Sequence, residues 1–231
     1  MHPSNIIESA ELHNRTKVFR DRQQAGLALA QMMDRFKETT AIVLAIPAGG
    51  VPVGAEMARQ LGLPLDVAVV SKITLPWNTE AGYGALAFDG TLKLNDYLVA
   101  RLGLRKEEIE KGVAQTRSKV QRRVTLLRGD HPLPSFSDRT VILVDDGLAS
   151  GFTMLVAVEA IRQASPLQVV VAVPTGHGQS VERVAAKVDR IYCANIRTGF
   201  SFAVAEAYEY WYDVTEDEVL EELAQFQRTT S

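Results

Sequence analysis

The chain has 231 residues, 46% hydrophobic and 23% charged, with a formal net charge of −3. That length can bury a substantial core, as one large domain or one domain with an appendage, and the mild acidity argues against a general nucleic-acid binder. No apolar run approaches the ~18 residues of a bilayer span, and the polar stretch 1–17 lacks the apolar centre of a secretory signal. A cytoplasmic protein with no membrane partner is therefore expected. The one cysteine, Cys193, rules out an internal disulfide or a cysteine zinc cluster; its apolar neighbours Ile191, Tyr192 and Ala194 predict a buried structural thiol.

Residues 21–36 place Ala25, Leu29, Met32, Met33 and Phe36 at helical spacing, which predicts an amphipathic helix. Next come a buried strand over 41–46, a Pro-Ala-Gly-Gly turn over 47–50 and a helix over 52–61 closed by Gly62. A strand over 66–71 completes a βαβ unit with parallel strands and a right-handed crossover. The stretch 73–139 then interrupts the pattern as an insertion of loop and helix. Within it, 74–83 carries Pro76, Trp77 and Asn78 without a sustained period and reads as a mobile loop. Residues 104–127 read as a long helix ending at Gly129. Its late basic residues Arg117, Lys119, Arg122, Arg123 and Arg128 are either solvated or form a patch for phosphate or an acidic surface. Charge is segregated along the chain: 101–128 holds nine Lys or Arg and three Glu, whereas 206–222 holds eight acidic residues and no basic one.

A second βαβ unit follows, with a strand over 141–144, a helix over 154–163 and a strand over 168–173, then a helix over 181–187 and a short strand over 191–194. Two such units predict an α/β fold, a doubly wound, mostly parallel sheet flanked by helices. Ligands of such sheets bind beyond the carboxyl ends of the strands, so the turns at Pro47 and Asp145 should face one crevice. The core is expected over 18–195, including the insertion 73–139. The segment 196–222, with Phe200, Phe202, Tyr208, Tyr210, Trp211 and Tyr212, forms either a small C-terminal hood or an anchor for the chain end.

The densest chemistry lies in 141–154. An apolar strand, Val141-Ile142-Leu143-Val144, ends in Asp145 and Asp146, and a small-residue turn then opens a helix at Thr153. Backbone N–H groups and hydroxyls in such a turn suit a phosphate. A plain helix cap would need one oxygen, whereas Asp145, Asp146, Gly147, Ser150, Gly151 and Thr153 supply two carboxylates, two hydroxyls and two glycines.

This pattern resembles the 5-phosphoribosyl-1-pyrophosphate (PRPP) signature of the type I phosphoribosyltransferases. The resemblance covers roughly residues 21–219 and extends in particular to members without an assigned substrate. It implies a Rossmann-like core, PRPP as substrate with Mg2+ as its counter-ion, and transfer of the phosphoribosyl group to an unidentified acceptor, for which a nucleobase is one candidate, with release of pyrophosphate. It also implies a homodimer. By resemblance, Asp145 and Asp146 are the catalytic carboxylates near the ribose hydroxyls. Leu148, Ala149, Ser150, Gly151, Phe152 and Thr153 surround the 5′-phosphate, and Ala48, Gly49, Gly50 and Lys72 lie at the pyrophosphate. Phe152 stands where relatives carry a small residue, and Ala48 where they carry Arg. The missing guanidinium removes a bidentate phosphate contact of about 1.5–3 kcal/mol. A second reading is thereby open, a PRPP- or nucleotide-binding regulator that has lost transfer. Glu80 and Asn95 match polar positions without an assigned role.

Other nucleotide folds fit poorly, because residues 49–54 do not give Gly-x-Gly-x-x-Gly and no Walker sequence occurs. The four histidines, His2, His13, His131 and His177, lack metal-ligand spacing.

Overall fold

The computed structural model describes residues 5–129, 131–199 and 201–230, apart from the side chains of Thr79, Glu80 and Thr230. Glu80 as a side chain, and Phe200, thus lie outside the described residues. The first part of the chain forms β1 (Ile6–Ile7), α1 (Arg22–Met32), β2 (Ile42–Ala45), α2 (Gly50–Leu61) and β3 (Leu65–Val67). The insertion forms β4 (Val70–Leu75), β5 (Asn78–Ala87), β6 (Leu92–Leu94), α3 (Asp96–Leu102) and α4 (Lys106–Arg128). The last part forms β7 (Thr140–Val144), α5 (Phe152–Gln163), β8 (Gln168–His177), α6 (Gly178–Ala185), β9 (Arg190–Arg197) and α7 (Glu216–Thr230).

Six strands pair in the order β1-β9-β8-β7-β2-β3, every pair parallel, with Leu44 opposite both Asp66 and Leu143, and Val171 opposite both Leu143 and Ile191. Alternation along these strands feeds two cores. Ile42, Leu44, Val141, Leu143, Val169, Val171 and Ile191 face α5 and α6, whereas Val43, Ile142, Val144, Val170 and Tyr192 face α1 and α2. This is why the strands read as continuous apolar runs. Each fully buried Val, Leu or Ile contributes about 1.5–3 kcal/mol. From β2 the chain moves outward to β3, and from β7 it moves outward the other way to β8 and β9, so the order reverses between β2 and β7. The doubly wound parallel sheet flanked by helices is the fold expected from the sequence.

Several boundaries differ from the sequence expectation. The strand expected over 66–71 is two strands, because the chain leaves the parallel sheet through the fully buried Ala68 and Val69 and enters a separate antiparallel sheet, β4-β5-β6. The expected mobile loop 74–83 is a hairpin, with Lys72 opposite Ala85 and Leu75 opposite Asn78 around Pro76 and Trp77. Its pattern escaped notice because two register shifts break the period between Ile73 and Leu75. The helix expected over 104–127 is α4, stopped at Gly129. Arg128, at its end, makes two hydrogen bonds to Asp66 of β3, at 3.1 and 2.9 Å, and ties the insertion to the parallel sheet.

Strand β8 runs past Pro174 to His177, beyond the expected end at Val173. Pro174 is tolerated because the pairing with β9 steps from Val173 to Thr175, so its missing N–H is not required there. Cys193 is fully buried, as expected, and burial pushes its thiol well up. Among the described residues no helix is long and apolar enough to cross a membrane.

Candidate active site

The turn after β2 and the turn after β7 lie side by side at the reversal point and open on one cavity of about 420 Å3. Ala48 and Gly49 line it from the first turn, and Asp145, Asp146, Gly147, Leu148, Ala149, Ser150, Gly151, Phe152 and Thr153 from the second. Lys72 lines it from β4. Gly50 is the one sequence-identified site residue outside the lining; it starts α2 and packs against β7. A Cβ on Gly50 would sit 2.7 Å from the Val144 carbonyl, and one on Gly49 would collide with the Asp146 carboxylate. Glycines here let the two turns approach at backbone distance. The Pro47–Ala48 peptide bond, within the first turn, is cis.

The second turn is braced from behind. Leu148 is buried, donates its N–H to Thr175 O at 2.9 Å and accepts from His177 N at 3.0 Å. Its backbone N–H and C=O are therefore spent inside the fold, so Leu148 lines the cavity while anchoring the loop that continues through Ala149. Ser180 Oγ donates to Ala149 O and Arg183 donates to Ser150 O at 3.1 Å, so α6 fixes the loop from outside. Gly151 adopts φ 72° as the residue before α5, a left-handed conformation that glycine takes without strain. Ser150 Oγ accepts from Phe152 N at 3.3 Å. The first-turn N–H groups of α5 have no intrahelical acceptor, and Phe152, Thr153 and Met154 line the cleft. An anion is the natural ligand for that end.

The two carboxylates differ. Asp145 Oδ1 accepts the Asp146 N–H at 2.9 Å. Asp146 Oδ2 is held by Arg22, with Nε at 3.0 Å and Nη2 at 2.9 Å, and the Asp146 carbonyl accepts the Tyr208 hydroxyl at 2.6 Å. Arg22 is 6% exposed, also donates to Tyr212 O at 2.9 Å, and lies 4.0 Å from the Trp211 ring centre. Burial, and then the Asp146 charge, push Asp145 well above the ordinary carboxylate range. Burial raises Asp146 too, but the Arg22 guanidinium opposes the shift. Burial and the Asp146 charge raise Tyr208 well above its ordinary value and keep its phenol a donor.

Arg22 is the site residue that sequence reasoning missed. Its one local signal was position: it follows Asp21, whose side chain accepts from Gln24 N at 2.8 Å and caps α1. Part of the aromatic segment serves Arg22, while Phe202 packs on His177 and Arg197. Tyr208 and Trp211 pack on Arg22, Tyr210 and Tyr212 are exposed, and among the described residues of 196–222 only Val204 lines the cleft.

The opposite wall comes from the insertion. Val70, Ser71, Lys72 and Thr74 of β4 line the cleft, whereas Ile73 and Leu75 enter a small core with Tyr83. Lys72, expected at the end of a parallel strand, lies instead within an antiparallel one. Lys119 and Arg123 of α4 complete this wall. Asn95 is not at the site; it caps α3, accepting from Leu98 N at 3.1 Å. His177 precedes α6, where its Nε2–H donates to Gly199 O at 3.2 Å, and it is not among the cleft-lining residues.

Comparison with known proteins agrees with this architecture. Residues 89–211 match the Phosphoribosyl transferase domain family. A Thermus thermophilus protein of known structure, TT1426, is 34% identical and superposes with a TM-score of 0.72, covering 90% of this chain and 98% of its own. Two Mycobacterium tuberculosis proteins, from strains H37Rv and CDC 1551, whose names provisionally call them phosphoribosyl transferases, are each 35% identical over 204 residues, 88% of this chain and 46% of theirs. The chain thus spans about half the length of these curated relatives. It belongs to the phosphoribosyl transferase domain family.

Proposed function

We propose that this protein binds PRPP with Mg2+ in the cleft between β2 and β7 and transfers its phosphoribosyl group to an acceptor nucleophile, releasing pyrophosphate. One observation carries this reading: two backbone-lined turns, each opening a helix, converge with a carboxylate pair on a single cavity. A sugar bearing phosphate groups at both ends matches those three features. The 5′-phosphate lies against Ala149, Ser150, Gly151, Phe152 and Thr153, where the α5 N-terminus meets its charge. Asp145 faces the ribose hydroxyls. Asp146, committed to Arg22, holds the turn in shape. Ala48, Gly49 and Lys72 meet the pyrophosphate, while Gly50, its N–H given to Ile46 O, lets the turn pack against β7.

Among the described residues no set of three or more His, Cys, Asp or Glu side chains could hold a metal. The two carboxylates, one of them tied to Arg22, fit an Mg2+ whose ligands are mainly phosphate oxygens and water. Bound this way it would neutralise charge on the leaving pyrophosphate. In the transfer the acceptor forms a bond to ribose C1 as the C1–O bond to pyrophosphate breaks, and the electron pair leaves with pyrophosphate. Charge building on the ribose in an oxocarbenium-like transition state is stabilised by the Asp145 carboxylate. The proton lost by the acceptor passes to solvent or to a carboxylate of the pair.

The test is calorimetric titration with PRPP and Mg2+, followed by an assay of pyrophosphate release across a panel of bases and small amines. Binding with acceptor-dependent release supports the transferase and names its substrate class. Binding without release with any acceptor supports the regulatory reading, which the uncharged Ala48 favours. No PRPP binding overturns both.

A further inference from the structure

The Pro47–Gly50 turn brings no side-chain charge to a group that carries several negative charges. The cations lining the cleft are Lys72, Lys119 and Arg123, all from the insertion, facing the carboxylates from across the cavity. Lys119 and Arg123 are four residues apart on α4 and so share one helix face, with Val120 and Leu127 buried beside them to seat that face on the fold. The Lys72 stem packs on Gly82, where a Cβ would come within 3.3 Å of it.

Arg123 is an unusual wall residue. It is 8% exposed and its Nε lies 3.0 Å from Glu216 Oε1 at the start of α7, yet Nε makes no aligned hydrogen bond. Arg122 takes the same carboxylate with two aligned bonds of 2.9 Å. Ser71, also lining the cleft, is buried with its Oγ unpartnered. Buried polar groups are rarely left unsatisfied, and two of the three such side-chain atoms among the described residues belong to residues of this wall. A ligand rich in acceptor oxygens would give the Ser71 hydroxyl a partner, and Arg123, its Nε facing Glu216, adds charge to the same wall.

We infer that Lys119 and Arg123 of α4, together with Lys72, form the cationic half of the subsite for a diphosphate group, opposite the backbone half at Ala48 and Gly49. The inference deepens the proposed function and rests on it. It divides the cleft: the α5 end binds a monophosphate without help from α4, and the α4 side binds the diphosphate. Glu216 holds Arg123 in position when no diphosphate is present.

The experiment titrates the full chain by calorimetry with inorganic pyrophosphate plus Mg2+ and, separately, with ribose 5-phosphate. Lys119→Met and Arg123→Met are expected to weaken pyrophosphate about tenfold or more each, the loss of one charge-assisted contact. Ribose 5-phosphate affinity is expected to stay unchanged. Arg117→Met, which removes a charge from α4 at a residue outside the cleft lining, should change neither. Because Arg123→Met also breaks the Glu216 pair, the exposed Lys119 carries the decision if that variant folds poorly. Unchanged pyrophosphate affinity in Lys119→Met, or an equal loss in Arg117→Met, would overturn the assignment while leaving the phosphoribosyl reading intact. A wild-type protein that binds neither pyrophosphate nor ribose 5-phosphate would overturn the reading and the assignment together.

Discussion

The wall of the cleft that belongs to the parallel sheet, at residues 48–49 and 145–153, carries no cationic side chain, whereas the facing wall uses the long cations Lys72, Lys119 and Arg123. The first is fixed by strands buried on both faces and by a buried ion pair. The second sits on a three-stranded sheet and a helix docked from outside, attached by Arg128 to Asp66 and by exposed pairs such as Lys93 to Glu159. A phosphate cradle needs N–H groups held in fixed positions, and these are best supplied where the core over-determines the chain. Charge acts over longer distances and tolerates a looser support. Precision is thus placed in the core wall and charge in the added one.

The largest effect should come from breaking the core wall at Arg22. Arg22→Met leaves Asp146 buried without its cation and removes the donor to Tyr212 O and the charge against Trp211. Removing one partner of a buried pair costs about 3–5 kcal/mol, read as a shift in urea unfolding at pH 7. A loss under about 1 kcal/mol would mean that Asp146 is secured without Arg22. The same pair makes Asp146→Asn a poor probe of chemistry, since it disturbs the support of the turn.

Asp145→Asn is the cleaner test and should separate activity from stability. Loss of a charge placed at the transition state is expected to lower turnover by about 10²–10³-fold if transfer occurs. Stability should move the other way. The folded-state pKa of Asp145 is raised, so its proton binds more tightly in the native state, and its contribution is fully present below about pH 4 and lost as pH rises through the raised value. At pH 7 the wild type therefore bears a cost that the variant lacks, whether the native carboxyl buries its charge or takes up a proton that the unfolded chain does not hold. Asp145→Asn should be more stable at pH 7, with the advantage shrinking toward pH 4. Carboxylates whose values are lowered by partners, such as Glu216 beside Arg122, give the opposite trend in both proteins and cancel in the difference. An advantage that grows on acidification would reject this account.

A smaller effect is expected one residue before Arg22. Asp21→Ala removes the cap of α1 and should cost about 1 kcal/mol in thermal or urea unfolding. Pyrophosphate affinity should hold, since the cap touches neither wall. Smallest of all is Lys93→Ala, which cuts the pair between β6 and α5, 2.7 Å long but about half exposed at both ends, 46% and 48%. A change of at most about 0.5 kcal/mol is expected, and a larger one would mean that the two regions are more tightly coupled than their exposed contact suggests.

The strands and helices of the parallel half were largely legible because a strand buried on both faces leaves an unbroken apolar run, as at residues 41–46 and 141–144. The cradle was legible for a similar reason: its glycines, hydroxyls and carboxylates are contiguous. The hairpin 74–83 was not, since its register shifts erase the alternation that marks a strand. The continuation of β8 beyond Pro174 was hidden because proline ends a strand in most settings, and only the pairing with β9 shows that its N–H is not needed there.

Order along the chain was enough for the fold class, for the place of the cleft and for most residues of the cradle, because periodicity and turn chemistry act between near neighbours. It was not enough to tell the two adjacent aspartates apart or to sort the basic residues of α4. Asp146 differs from Asp145 because Arg22, 124 residues away, reaches it; Arg123 differs from Arg117 because docking turns one into the cleft and leaves the other outside it. Electrostatic roles depend on distance and burial, which exist only once the chain has packed.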